Sequence, residues 1–126
     1  MKLLLDSHVL VWAAIDDPRL RQPVRTIIAD PDATVFISIA SVWELYVKAK
    51  SGRMNLQKDL RQIIAEHGYD LLPVTIDHAE ISASLPPRHK DPFDRMLVAQ
   101  ALAENLTLVT NDRHIRQYNV NILAAS

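Results

Sequence analysis

The chain contains no cysteine, so it has no disulfide framework, no thiolate nucleophile and no thiolate metal ligand. Any bound metal must rest on carboxylates or imidazoles. An excess of positive charge is also missing: 14 Lys and Arg against 15 Asp and Glu leave a formal net charge of −1. That argues against a protein that coats nucleic acid nonspecifically, while allowing a nuclease whose acids gather at one neutralised site with basic residues around its rim. No apolar run approaches the ~20 residues of a membrane span. The apolar start Met1–Leu5 is cut by Asp6 before a signal-peptide core forms, so a cytoplasmic location away from membranes is expected. Two glycines and seven thinly spread prolines make neither a linker nor a repeat. One domain spanning residues 1–126 is the expectation.

What the chain does have is an alternation of short β-type runs and longer helical patterns. Strands are predicted at Lys2–Leu5, Thr34–Ile37, Leu71–Val74, Leu106–Val109 and, more weakly, Val120–Leu123. Helices are predicted over His8–Ile15, Pro18–Asp30, Ile39–Lys50 and Gln57–His67, from Asp77 to Ser84, from Asp91-Pro92 to Asn105, and over Arg113–Tyr118. Strands separated by helices imply right-handed crossovers. The predicted fold is therefore α/β, a three-layer α/β/α sandwich with a central parallel sheet of four to five strands. In such sheets ligands bind beyond the carboxyl ends of the strands, which makes the positions of the acids informative.

Taken singly, each acid has an ordinary explanation. Asp6, just after the first strand, suits a helix N-cap, and so does either Asn111 or Asp112 after the fourth. In Asp91-Pro92-Phe93-Asp94, Asp91 reads as N-cap, Pro92 as N1 and Asp94 as N3. Glu44 reads as a surface acid paired with Lys48 one turn on. Together they say more. Asp6 and Asp112 leave parallel strands at the same sheet edge, the Asp94 turn opens the helix that feeds the fourth strand, and Glu44 lies two turns into the helix leaving the second. Four converging carboxylates repel one another unless a cation intervenes. Hard divalent ions such as Mg²⁺ or Mn²⁺ prefer such oxygen ligands and serve phosphodiester hydrolysis.

The same residues carry a resemblance. Leu4-Leu5-Asp6-Ser7, Ser41-Val42-Trp43-Glu44-Leu45, Asp91-Pro92-Phe93-Asp94-Arg95 with Leu97-Val98-Ala99-Gln100-Ala101, and Leu108-Val109-Thr110-Asn111-Asp112 occur in an order and spacing that resembles the PIN domain of VapC-type toxins, over essentially the whole length. The resemblance implies an Mg²⁺- or Mn²⁺-dependent endoribonuclease, the toxin of a type II toxin–antitoxin pair. Its acids correspond to Asp6, Glu44, Asp94 and Asp112, of which the fourth is the most variable in the family. It further implies a homodimer and a cognate antitoxin lying across the acidic groove.

Ser7 and Thr110 are candidates to support the acids, while Arg88, His89, Lys90 and Arg95 are candidates to contact RNA phosphates. Trp12 and Trp43 are expected in the core, Lys48 and Lys50 in solvent, and His114 exposed. The five histidines show no metal-ligand spacing. Two other functions compete with direct in-line hydrolysis of RNA. A non-catalytic PIN-fold interaction domain would not need its acids intact. A receiver- or phosphatase-like α/β domain would want an acid two residues after Asp6, where this chain has His8.

Overall fold

Lys2–Leu5 forms β1, the central strand, and its three leucines have no exposed surface. Burial on both faces is what a continuous apolar run in a parallel sheet implies, and each buried leucine contributes roughly 1.5–3 kcal/mol of transfer free energy. A computed structural model describes all 126 residues. The remaining strands are β2 (Thr34–Ser38), β3 (Asp70–Leu72), β4 (Thr107–Thr110) and β5 (Ile122–Ala124), arranged in the order β3-β2-β1-β4-β5 with every neighbouring pair parallel. Leu4 sits opposite Phe36 on one side and Leu108 on the other.

Six helices cover the sheet: α1 (Ser7–Ala14), α2 (Gln22–Ala29), α3 (Ile39–Lys50), α4 (Leu60–Glu66), α5 (Ile76–Ser84) and α6 (Pro92–Glu104). Strand alternation sorts them into two layers. Leu3, Leu5, Val35, Ile37 and Val109 pack with Val9, Val24, Leu45, Leu60 and Ile63, from α1 to α4. Leu4 and Leu108 face the other way, onto Leu97, Val98 and Ala101 of α6 and onto Ile115 and Tyr118. The α/β/α sandwich is as expected.

Boundaries differ where local chemistry intervenes. The second helix begins at Gln22 with Pro23 in its first turn, not at Pro18. Upstream, Asp16 takes a left-handed φ of 53° and the Asp17 carboxylate accepts the Arg19 N–H at 2.9 Å, making a turn that still buries Leu20. Pro73 follows β3 directly and lacks the N–H a ladder needs, so β3 ends at Leu72 and not at Val74. The cap of α5 is Thr75, one turn reciprocally bonded with His78, and Asp77 lies inside the helix. Asp59 caps α4, and the expected helix after Asp112 shrinks to one 3-10 turn at Ile115–Gln117.

Candidate active site

The chain leaves β1 towards β2 and later comes back to β4 on the other side of β1. This reversal opens a crevice at the carboxyl ends of β1 and β4. Asp6 is the first residue beyond β1. One carboxylate oxygen accepts the Val9 N–H at 2.9 Å and caps α1, while the other accepts the Thr110 hydroxyl from the end of β4. Capping is thus real, yet it occupies only part of a buried carboxylate. Burial raises the Asp6 pKa, the hydrogen bonds from Thr110 and Val9 oppose the rise, and the charge of Glu44 adds to it.

Ser38 caps α3 by accepting the Ala40 N–H at 3.0 Å, and α3 then runs against both α1 and α6. Two turns in, Glu44 is only 3 % exposed. The expected Lys48 partner is present, with Nζ at 2.8 Å from Oε2, but this is no surface pair. Glu44 Oε1 is buried with no hydrogen-bond partner.

Asp91 is the N-cap of α6, its Oδ1 accepting the N–H groups of Phe93 at 2.8 Å and Asp94 at 3.3 Å. Pro92 and Asp94 both lie in the first turn, and the Asp94 side chain is largely covered, 14 % accessible. His89 Nε2 lies 2.8 Å from Asp94 Oδ2 and 3.5 Å from Asp112 Oδ2. Burial pushes the Asp94 pKa up to about 8, helped by the charges of Asp91, Asp112, Glu44 and Asp6. Burial also opposes ionisation of Asp112, but the His114 N–H and the neighbouring His89 hold its pKa below the ordinary value. Burial, hydrogen bonding and neighbouring charge thus combine to push the two aspartates in opposite directions.

All four acids of the sequence reading thus meet at one crevice. Thr110, fully buried, joins Asp6 to the backbone N–H of Asp112, which its Oγ1 accepts at 3.0 Å. Ser7 is buried beside Asp6 as the first residue of α1. The basic candidates divide. Arg88 and Lys90 are exposed, whereas His89 is turned between the two aspartates. Arg95 is drawn into the loop before α6: its guanidinium donates to the carbonyls of Ser82, Leu85 and Pro86 and to the Tyr118 hydroxyl oxygen, leaving it directed away from the crevice.

Two cations border the site, of which Arg53 carried no signal in the sequence. Lys48, expected in solvent, and Arg53 line a cleft of about 310 Å³ with Glu44, Lys90, Asp91 and Phe93. Trp43 is not in the core; it is 63 % exposed and meets Phe93 edge-on at 5.1 Å, while Trp12 is buried as expected. Along α3 the polar Ser41 and Glu44 are buried while Ile39, Trp43, Tyr46 and Val47 stay exposed, so hydrophobicity alone misplaces Trp43.

The donor set suits a hard divalent cation. Four carboxylates converge, Lys48 pairs with one of them, and the orphaned Glu44 Oε1 is an oxygen for which the protein itself supplies no partner.

A family model described as PIN domain matches residues 3–121. Ribonuclease VapC22 of Mycobacterium tuberculosis is 32% identical over 120 residues, covering 92% of this chain and 91% of its own. Among solved structures, VapBC2 from Rickettsia felis bound to a DNA fragment from its promoter superposes with a TM-score of 0.69 at 18% identity, covering 98% of each chain. A toxin–antitoxin complex from Klebsiella pneumoniae gives 0.69 at 19% identity, again over 98% of each. These two likenesses concern the fold.

Proposed function

This chain belongs to the PIN-domain family, and on that premise we propose that it is a metal-dependent endoribonuclease, the toxin of a type II toxin–antitoxin pair, with residues 1–126 acting as one nuclease domain. The observation that carries the reading is the convergence of Asp6, Glu44, Asp94 and Asp112 at the crevice between β1 and β4. Asp6, Glu44 and Asp94 would hold the ion, Mg²⁺ or Mn²⁺, with Asp112 in support. When bound, the ion supplies Lewis acidity that polarises the RNA phosphodiester and makes water a better nucleophile near neutral pH.

The chain's own residues orient and hold. Thr110 fixes the Asp6 carboxylate, and Asp91 fixes the turn that presents Asp94. Asp94, whose ionisation is opposed by burial and by neighbouring acids, would be favoured in its ionised form beside a bound cation. Lys90, Arg53 and Arg88 position the substrate through its phosphates, contacts that set register without reading sequence. Lys48 orients the Glu44 carboxylate by pairing with its Oε2.

A cognate antitoxin partner is supported by the structural neighbours, one of which is solved as a toxin–antitoxin complex. Inhibition is achieved by Arg or Lys placed against the acids. A homodimer is supported by the apolar face that α3 leaves exposed, where Ile39, Trp43, Tyr46 and Val47 lie together. No helix is long and apolar enough to cross a membrane, and we place the protein in the cytoplasm.

The test is cleavage of a mixed RNA pool in Mg²⁺, Mn²⁺ or EDTA. Wild type is expected to cleave only with metal, and Asp6→Asn, Glu44→Gln and Asp94→Asn to lose most of that activity. Undiminished cleavage by Asp94→Asn in EDTA would overturn the mechanism.

A further inference from the structure

The fold brings together two histidines that lie far apart in the sequence. His89 closes the loop before α6, and His114 opens the 3-10 turn after β4. Their rings stack at 4.7 Å between centroids and 20° between planes. Asp112 faces both: its Oδ2 is 3.5 Å from His89 Nε2, and its Oδ1 is 3.4 Å from His114 Nδ1. One ligand atom from each of the three residues lies within 4.8 Å of the other two.

We propose that His89, Asp112 and His114 form a second metal site, at the rim of the acid cluster, for a transition-metal cation of the zinc class. Bonds of about 2.0–2.1 Å in a tetrahedral site put ligand atoms roughly 3.3–3.5 Å apart. The His89 and His114 nitrogens lie 3.5 Å and 3.4 Å from different oxygens of Asp112, and the exposed side chain of His114, 61 % accessible, has room to turn until both nitrogens approach one oxygen. The Asp112 carboxylate is held ready by its own neighbours. The His114 N–H donates to Oδ1 at 2.7 Å, and the Asp112 N–H donates to Thr110 Oγ1 at 3.0 Å. Such outer contacts fix a ligand's orientation before metal arrives.

The donor chemistry separates this site from the acid cluster. Two imidazoles and one carboxylate suit Zn²⁺, Co²⁺ or Ni²⁺, whereas Mg²⁺ prefers oxygen ligands alone. Asp6 and Glu44 take no part, whereas His89 Nε2, which faces Asp94 Oδ2 at 2.8 Å, leaves that contact when it takes the metal. Asp112 belongs to both sites, so filling the histidine site withdraws it from the acids. The site stands on these three residues and not on the ribonuclease reading.

Co²⁺ reports the difference directly, because four-coordinate Co²⁺ with nitrogen ligands absorbs visible light far more strongly than six-coordinate Co²⁺ among oxygens. The purified full chain is titrated with Co²⁺ at neutral pH in excess Mg²⁺. Wild type is expected to develop a saturable visible band that Zn²⁺ abolishes. His114→Ala and His89→Ala are expected to lose the band, and Asp6→Asn to keep it. His114 is exposed, so its replacement leaves the fold intact, as unchanged circular dichroism would verify. No band in wild type, a band that survives His114→Ala, or one that disappears in Asp6→Asn would overturn the proposal.

Discussion

Thr110 donates its hydroxyl to Asp6 across the junction of the two central strands, and the same oxygen accepts the backbone N–H of Asp112. One buried hydroxyl therefore ties the acid after β1 to the acid after β4. Thr110→Val keeps the shape of the side chain but leaves both groups short of a partner. It should cost about 1–3 kcal/mol of stability and lower nuclease activity, while Thr110→Ser should come close to wild type in both. Chemical denaturation and RNA cleavage measure the two effects. Equal behaviour of the Val and Ser variants would mean that the hydroxyl has no such role.

Asp91 and Asp94 lie three residues apart in one helix turn and should respond to substitution in opposite ways. Asp91 caps α6 with one oxygen, accepting from Phe93 and Asp94. Asn caps equally well, so Asp91→Asn should retain most activity and stability, whereas Asp91→Ala should cost about 1 kcal/mol. Asp94→Asn should be folded and inactive. An Asp91→Asn protein that folds normally yet is as inactive as Asp94→Asn would show the two roles to be misassigned.

Expressed alone in its native host, the chain should inhibit growth, and purified at natural abundance it should bring a small partner protein with it. The unpaired negative charge of the crevice is what Arg or Lys of such a partner would neutralise. Recovery of free chain only, with no growth inhibition, would remove the toxin role and leave the nuclease chemistry standing.

Much of the site was legible because it follows from strand ends. Leu3-Leu4-Leu5 reads as a buried strand, so Asp6 must emerge at the sheet's carboxyl edge, and Leu108-Val109-Thr110 does the same for Asp112. Asp91-Pro92 announces a helix start, which places Asp94 in the first turn. What sequence could not give is what only tertiary packing decides. The pairing of His89 with His114 depends on the loop before α6 folding back onto the turn after β4. The inward path of Arg95 depends on carbonyls at the end of α5 and in the following loop. Pro18 and Pro23 both suit a helix start by rule, and the turn at Asp16 and Asp17 selects the second.

Removing one acid should stabilise the metal-free protein even as it abolishes activity. Asp94 has a folded-state pKa pushed up to about 8 from an ordinary 3.8, first by burial and then by four neighbouring acids. A raised carboxylate pKa means that ionisation opposes folding. The opposition is absent at pH below the ordinary value of 3.8, grows as pH rises above it, and levels off only above about 8. Asp94→Asn removes the titrating group while keeping the side chain's shape and an oxygen to face His89. In EDTA the variant should therefore melt higher than wild type, by a margin that widens from mildly acidic to mildly alkaline pH. Mn²⁺ should reverse the order, because a ligand that binds only the folded state stabilises it by mass action, and the variant has lost one of the oxygens that hold it. Melting curves of both proteins across that pH range, in EDTA and in excess Mn²⁺, make the comparison. If the two melted alike in EDTA at every pH and neither responded to Mn²⁺, the four acids would not be acting as one site.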